Sequence, residues 1–273
     1  MRNRRTGWIL LGILFFAINC YAQSNPKLLF KVDTSAVFLS VDNLDNIYAV
    51  TDNNQLLKYN SAGKLLWNYS NKSFGKLSFI DVTDPMRILL FYSAIQQAVV
   101  LNNNLNEISR FNFGADASRF VTLIATANSN GFWIYDQQNR QLQKLGNQFN
   151  DEPLSGNIYQ QTGIAIQPVY MLANDQSVFL GSLNQGIMQF DRFGAFVKTI
   201  NIPAARYFQI KEGVVLYLKE NLWISKSLAA DADSISVRFA EKPQQASQGN
   251  KIIATLTTTG FNVYEMPALY EKK

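Results

Sequence analysis

Beyond its first two dozen residues the chain reads as short apolar runs broken by clusters of Asn, Asp and Gly. No helical periodicity is sustained over ten residues there. The segment 37–69, VFLSVDNLDNIYAVTDNNQLLKYNSAGKLLWNY, shows the pattern best. Residues 47–50 predict a strand, Asp52-Asn53-Asn54 a turn and residues 56–59 the paired strand. Asn60-Ser61-Ala62-Gly63 then predicts a second turn, and residues 64–69 a further strand. Asn, Asp and Gly suit such turns because they tolerate the left-handed backbone that tight hairpins demand.

The same order recurs with changed letters at 88–113, 132–145, 177–202, 214–224 and 252–264. Taking the residue before each second turn as a marker gives Tyr59, Leu101, Tyr135, Phe190, Ile224 and Tyr264, in steps of 42, 34, 55, 34 and 40. An all-strand chain repeating about every 40 residues predicts an all-β fold, a β-propeller, rather than an irregular β-sandwich. Six units predict six blades, with five or seven compatible with the uneven spacing. The step of 55 points to a long loop at 148–162, and the polar stretch 241–250 to another. Runs such as Ile88-Leu89-Leu90-Phe91-Tyr92 are apolar on both faces, as expected where a neighbouring blade covers each side. Trp67, Trp133 and Trp223 fall on predicted strands and are expected in the core; an exposed one would make an interface anchor.

The first residues follow a different rule. Arg2, Arg4 and Arg5 precede an apolar run of eleven residues, 8–18. A bilayer span needs about 20 residues, so the run predicts a signal peptide, cut after Ala22 in a Cys20-x-Ala22 context. A lipoprotein anchored through Cys20 is the alternative, disfavoured by the bulky Asn19 before it. The expected organisation is thus a leader over 1–22 and one propeller domain over 23–273, without a further membrane span.

Removing the leader leaves 22 basic and 20 acidic residues, a balance that gives no case for nucleic acid. It also removes the one cysteine, so no disulfide is expected. The whole chain lacks histidine, which excludes histidine-dependent triads and the commonest metal ligand. No cofactor or metal is expected. The segment 42–46 resembles a fragment of a calcium loop but reads as a turn, without the alternating acids and distant Glu of an EF-hand. Asn60, Asp136 and Asp191 recur at turn positions and predict a structural role. Among enzymes, a glycosidase or a carbohydrate-binding propeller acting through carboxylates is the alternative, with Asp33, Asp81, Asp84, Asp116 and Glu152 projecting from one face. The S-x-D-x-G-x-T-W turns of sialidases are missing.

The least repeat-like segment is Asp81-Val82-Thr83-Asp84-Pro85-Met86-Arg87. Pro85 restricts Asp84 to extended backbone. The segment predicts either a rigid brace between blades, with Asp84 or Asp81 paired to Arg87, or a fixed polar loop holding a protein partner. Asp81, Asp84, Pro85 and Arg87 are the candidate interaction residues.

Segments 81–92 with 99–107, and 132–139 with Leu142 and Lys144, resemble signatures of a family of exported Bacteroidota proteins. That resemblance covers about a quarter of the chain. It implies a periplasmic β-propeller associated with the type IX secretion system, an accessory of the PorD kind. The leader ending in Tyr21-Ala22-Gln23 fits the same phylum. The family offers no catalytic residues. The resemblance therefore implies a non-enzymatic scaffold in the periplasm, at the inner face of the outer membrane, whose partners are outer-membrane secretion components.

Overall fold

A computed structural model describes residues 25–127, 131–202, 206–230 and 232–267. The leader predicted over 1–22 lies outside the described residues. The described residues form six four-stranded antiparallel sheets, the blades of a propeller. Blade 1 comprises Ala36–Val41, Ile47–Thr51, Leu56–Tyr59 and Leu65–Tyr69, running from the axis outward. Blade 2 starts at Phe79–Asp81, blade 3 at Val121–Thr126, blade 4 at Pro168–Ala173 and blade 5 at Phe208–Lys211. Blade 6 is composite: Gln245–Gln248, Ile252–Leu256 and Gly260–Glu265 come from the C-terminal end, and Leu28–Asp33 from the N-terminal end adds the outermost strand. The ring is thereby closed by hydrogen bonds between the two ends of the chain.

The doubly apolar strands behave as their pattern requires. In Ile88–Tyr92, Ile88, Leu90 and Tyr92 join the apolar cluster shared with blade 1, whereas Leu89 and Phe91 join the one shared with blade 3. Successive strand side chains point to opposite faces, so one five-residue strand supplies two interfaces. All five residues are buried.

Four of the blade turns share one chemistry. The side-chain Oδ1 of Asn60 accepts the main-chain N–H groups of Ala62 and Lys64 at 3.1 and 2.9 Å. Asn102 does the same for Asn104 and Asn106, Asp191 for Phe193 and Ala195, and Asp42 for Leu44 and Asn46. Three residues after each Asn or Asp the backbone is left-handed, at Gly63, Leu105, Gly194 and Asp45. The 42–46 segment is thus a turn of this kind.

Three expectations are corrected. Tyr135 lies on the second strand of its blade, Phe132–Asp136, whereas the other markers lie on third strands. The equivalent position is Leu145, which replaces the steps of 34 and 55 with 44 and 45. The slip arose because blade 3 opens its third-to-fourth turn on Gly146, with no side-chain oxygen, while Asp136 organises the preceding turn through Gln138 and Asn139. Asp136 is therefore not at a position matching Asn60 and Asp191. Second, 148–162 is no open loop: it holds the outer strand Asp151–Leu154 and the short helix Ile158–Thr162. Third, the polar stretch 241–250 contains the inner strand Gln245–Gln248, buried throughout. Its polar side chains are spent on neighbouring blades, which a hydropathy pattern does not reveal.

Candidate functional site

One face of the ring, here the lower, carries the turns between first and second strands and between third and fourth. The upper face carries the second-to-third turns and the blade-to-blade connections. The 81–87 segment belongs to the lower face. Asp81 ends the inner strand of blade 2 and is buried. Its carboxylate accepts the N–H and hydroxyl of Thr83 at 2.9 and 2.5 Å, and those of Thr126 in blade 3 at 2.8 and 2.6 Å. Asp84 pairs with Arg87 at 2.8 Å and accepts the Met86 N–H at 2.9 Å. Arg87 continues into blade 3, donating from Nη1 to Asn147 Oδ1 at 2.6 Å and lying over the Phe132 ring. Pro85 is buried and Met86 is exposed. Of the two partners considered for Arg87, the structure selects Asp84, and the segment bridges blades 2 and 3.

The carboxylates expected on one face are divided. Asp81 and Asp84 serve the lower face. Asp116 lies in the connection from blade 2 to blade 3, and Asp33 ends the closing strand, both on the upper side. The side chain of Glu152 lies outside the described residues. The Asp116 carboxyl is held below its ordinary pKa, chiefly by hydrogen bonds from the Ser118 hydroxyl and N–H. Among the described side chains, no paired acid and base follows from this arrangement. Among the described residues, no group of three or more His, Cys, Asp or Glu gathers as metal ligands would. None of the described helices is long and apolar enough to cross a membrane.

Trp133 and Trp223 are buried, as expected on blade strands. Trp67 is not. It sits on the outer edge strand of blade 1 at 46% exposure, with exposed Leu65 two residues away. The backbone register places Trp67 opposite Lys58, whose amine reaches across to Asn103 of blade 2. Trp67 therefore flanks the outer groove between blades 1 and 2, beside a strand edge that pairs with no other strand among the described residues.

The axis of the ring is filled by rings. Phe38 of blade 1 meets Tyr207 at 5.5 Å, Tyr207 meets Tyr170 of blade 4 at 5.4 Å, and Tyr170 meets Phe79 of blade 2 at 5.4 Å. Burial, reinforced by Asp81 and Tyr207, raises the Tyr170 hydroxyl well above the ordinary tyrosine pKa, so it stays neutral. Below this layer a cavity of about 210 Å³ is lined by Asp42, Asp81, Tyr170 and Lys211 among others. The Lys211 amine donates to the Gly249 carbonyl and to Asn250 Oδ1. Above it, cavities of about 490 and 260 Å³ share Val37, Arg206 and Tyr207. Lys76, Phe38 and Ser78 line the first, and Gln244, Gln245 and Leu256 the second. Sequence reasoning singled out none of Lys76, Arg206 and Tyr207. They precede inner strands of only three and four residues, too short for a legible alternation.

These features define a six-bladed β-propeller with a plugged axis, braced on its lower face and open at an upper mouth. No protein-family profile matches the chain, and no curated protein matches its sequence. Solved structures share the fold. A catalytically inactive virginiamycin B lyase from Staphylococcus aureus with quinupristin is 13% identical, with a TM-score of 0.55 over 84% of this chain and 80% of that one. The WD40 domain of Neurospora crassa Pan2 is 8% identical, with a TM-score of 0.58 over 90% of this chain and 96% of that one. BBS1N, in complex with ARL6DN, is 9% identical, with a TM-score of 0.51 over 85% and 78%. At such identities the likeness concerns the fold alone.

Proposed function

We propose that the protein is a non-enzymatic, protein-binding propeller of the bacterial periplasm. In this reading it is an accessory or scaffold subunit of the type IX secretion machinery at the outer membrane. The observation that carries the binding reading is Trp67. Tryptophan is enriched among the residues that dominate interface energetics, and a free edge strand beside it offers main-chain groups for strand addition. Trp133 and Trp223, on the second and third strands of their blades, are buried, whereas Trp67 is exposed because it lies on an outer strand.

Further support comes from chemistry. The acids at the lower mouth are engaged by main-chain and hydroxyl donors within the fold. The lyase neighbour is described as inactive once a histidine is replaced by alanine; this chain has no histidine at all. The BBS1N neighbour is described in complex with another protein. The secretion assignment rests on the resemblance of segments 81–92 with 99–107, and of 132–139 with Leu142 and Lys144, and on the leader.

Affinity purification of a tagged chromosomal copy, with mass spectrometry of co-purifying proteins, tests the reading. Envelope proteins should be enriched with the wild type and lost with Trp67→Ala, while the variant keeps its melting temperature. A deletion strain should export surface proteins poorly. Normal export by that strain, or cleavage of a glycan by the pure protein, would overturn the assignment.

A further inference from the structure

The upper mouth carries charge that the fold does not balance. Arg206 leads into the inner strand of blade 5 and Lys76 into that of blade 2, on opposite sides of the six-membered ring, yet both line one cavity. Both side chains are exposed, and among the described residues neither is paired with an acid. Among the described residues, no Asp or Glu lines either upper cavity. Asp52, on the neighbouring turn of blade 1, accepts the Ser35 hydroxyl and is not part of the lining. Two cations converging on one concavity repel each other and focus positive potential there. The Arg206 guanidinium lies 5.6 Å from the centre of the Tyr207 ring, which limits its orientations and leaves donors for a planar carboxylate.

Between the cations the floor is apolar and aromatic: Val37, Phe38 and Tyr207, with Leu218 and Leu256 on the blade 6 side. A bare anion would leave that floor uncovered. Nucleic acid would call for a longer basic track than two cations. We propose that the upper mouth binds an extended acidic peptide, with carboxylates on Arg206 and Lys76 and an apolar side chain between them on Phe38 and Tyr207. The exposed amide of Gln244 supplies a further donor. This site shares no residue with the Trp67 rim and stands or falls separately from it.

Fluorescence anisotropy of the full mature chain tests the assignment. The probes are a labelled Asp-Glu-Phe-Glu-Asp peptide, its Asn-Gln-Phe-Gln-Asn counterpart, and a labelled oligogalacturonate. The acidic peptide should bind at least tenfold more tightly than the neutral one, and weaken as salt rises. Arg206→Gln combined with Lys76→Gln should weaken it at least tenfold; Lys64→Gln with Lys251→Gln, on the lower face, should leave it unchanged. Equal binding of the neutral peptide, or tighter binding of the oligogalacturonate, overturns the proposal. So does undiminished binding by the Arg206 and Lys76 variant. Should that variant melt early, the wild-type salt dependence decides: affinity indifferent to salt rules out the two cations.

Discussion

The side-chain amide of Gln245 holds both main-chain groups of Leu39. Its Nε2 donates to the Leu39 carbonyl at 2.7 Å, and its Oε1 accepts the Leu39 N–H at 3.1 Å. The arrangement recurs where Gln96 of blade 2 clips Val121 of blade 3 at 2.8 and 2.9 Å, and where Gln209 of blade 5 clips Gln248 of blade 6 at 3.2 and 2.7 Å. An inner strand has one edge without a partner, and its main-chain groups are buried. A glutamine amide presents one donor and one acceptor with the spacing of a peptide group, so it stands in for the missing strand. Gln245→Leu should therefore cost on the order of 2–4 kcal/mol, the penalty of leaving two buried polar groups unpaired. Urea unfolding would show it as a lowered midpoint at unchanged slope.

The 81–87 segment gives a second expectation. Asp84→Ala with Arg87→Ala removes the pair and the bond to Asn147, so stability should fall by about 1–2 kcal/mol. In a domain of this size that lowers the melting temperature by roughly 2–4 °C per kcal/mol. Asp81→Asn should cost more, since an amide nitrogen would face donors on Thr83 or Thr126. Calorimetry of the two variants, set beside partner recovery, separates bracing from docking. A double variant that loses its partner at an unchanged melting temperature would give the segment a docking role.

Closure by the N-terminal strand predicts a sharp truncation effect. A chain beginning at Ser35 lacks Leu28–Asp33, exposing the edge of Gly260–Glu265 and uncovering the cluster to which Phe30 and Val32 contribute. It should unfold less cooperatively and self-associate through that edge. Sedimentation and denaturant melts against a chain beginning at Gln23 would show this; a monomer of unchanged stability would contradict it.

Alkaline pH should destabilise the fold. Burial raises Tyr48, Tyr92 and Tyr170 above the ordinary value of 10.0, with Asp42, Tyr69 and Asp81 respectively adding to the effect. Above pH 10 the unfolded chain releases these protons while the folded chain retains them. The stabilisation is complete below pH 10 and declines as pH rises beyond it. Tyrosinate absorbance should accordingly rise together with loss of near-ultraviolet dichroism.

Strand type and blade count were legible in the sequence because both depend on local chemistry. The doubly apolar run 88–92, which follows the Asx turn at Asp84, suits a strand covered on each side. Asn60, Asn102 and Asp191 announced their turns because an Asx oxygen acts on its own main chain two and four residues ahead. Where blade 3 substituted Gly146 for that oxygen, the register slipped by one strand.

What the sequence alone determined, then, is an all-β repeat of six units, fixed by alternation and turn residues acting within a few positions. The tertiary structure decided which polar residues are spent and which are free. The 245–248 strand reads as loop until Leu39 and Val41 arrive to occupy Gln245 and Ser247. Trp67 reads as core until its strand proves to be the outermost of its blade among the described residues. Lys76 and Arg206 lie 130 residues apart and share a cavity only because the ring closes. Burial and pairing at these positions arise from contacts distant in sequence, and no local pattern encodes them.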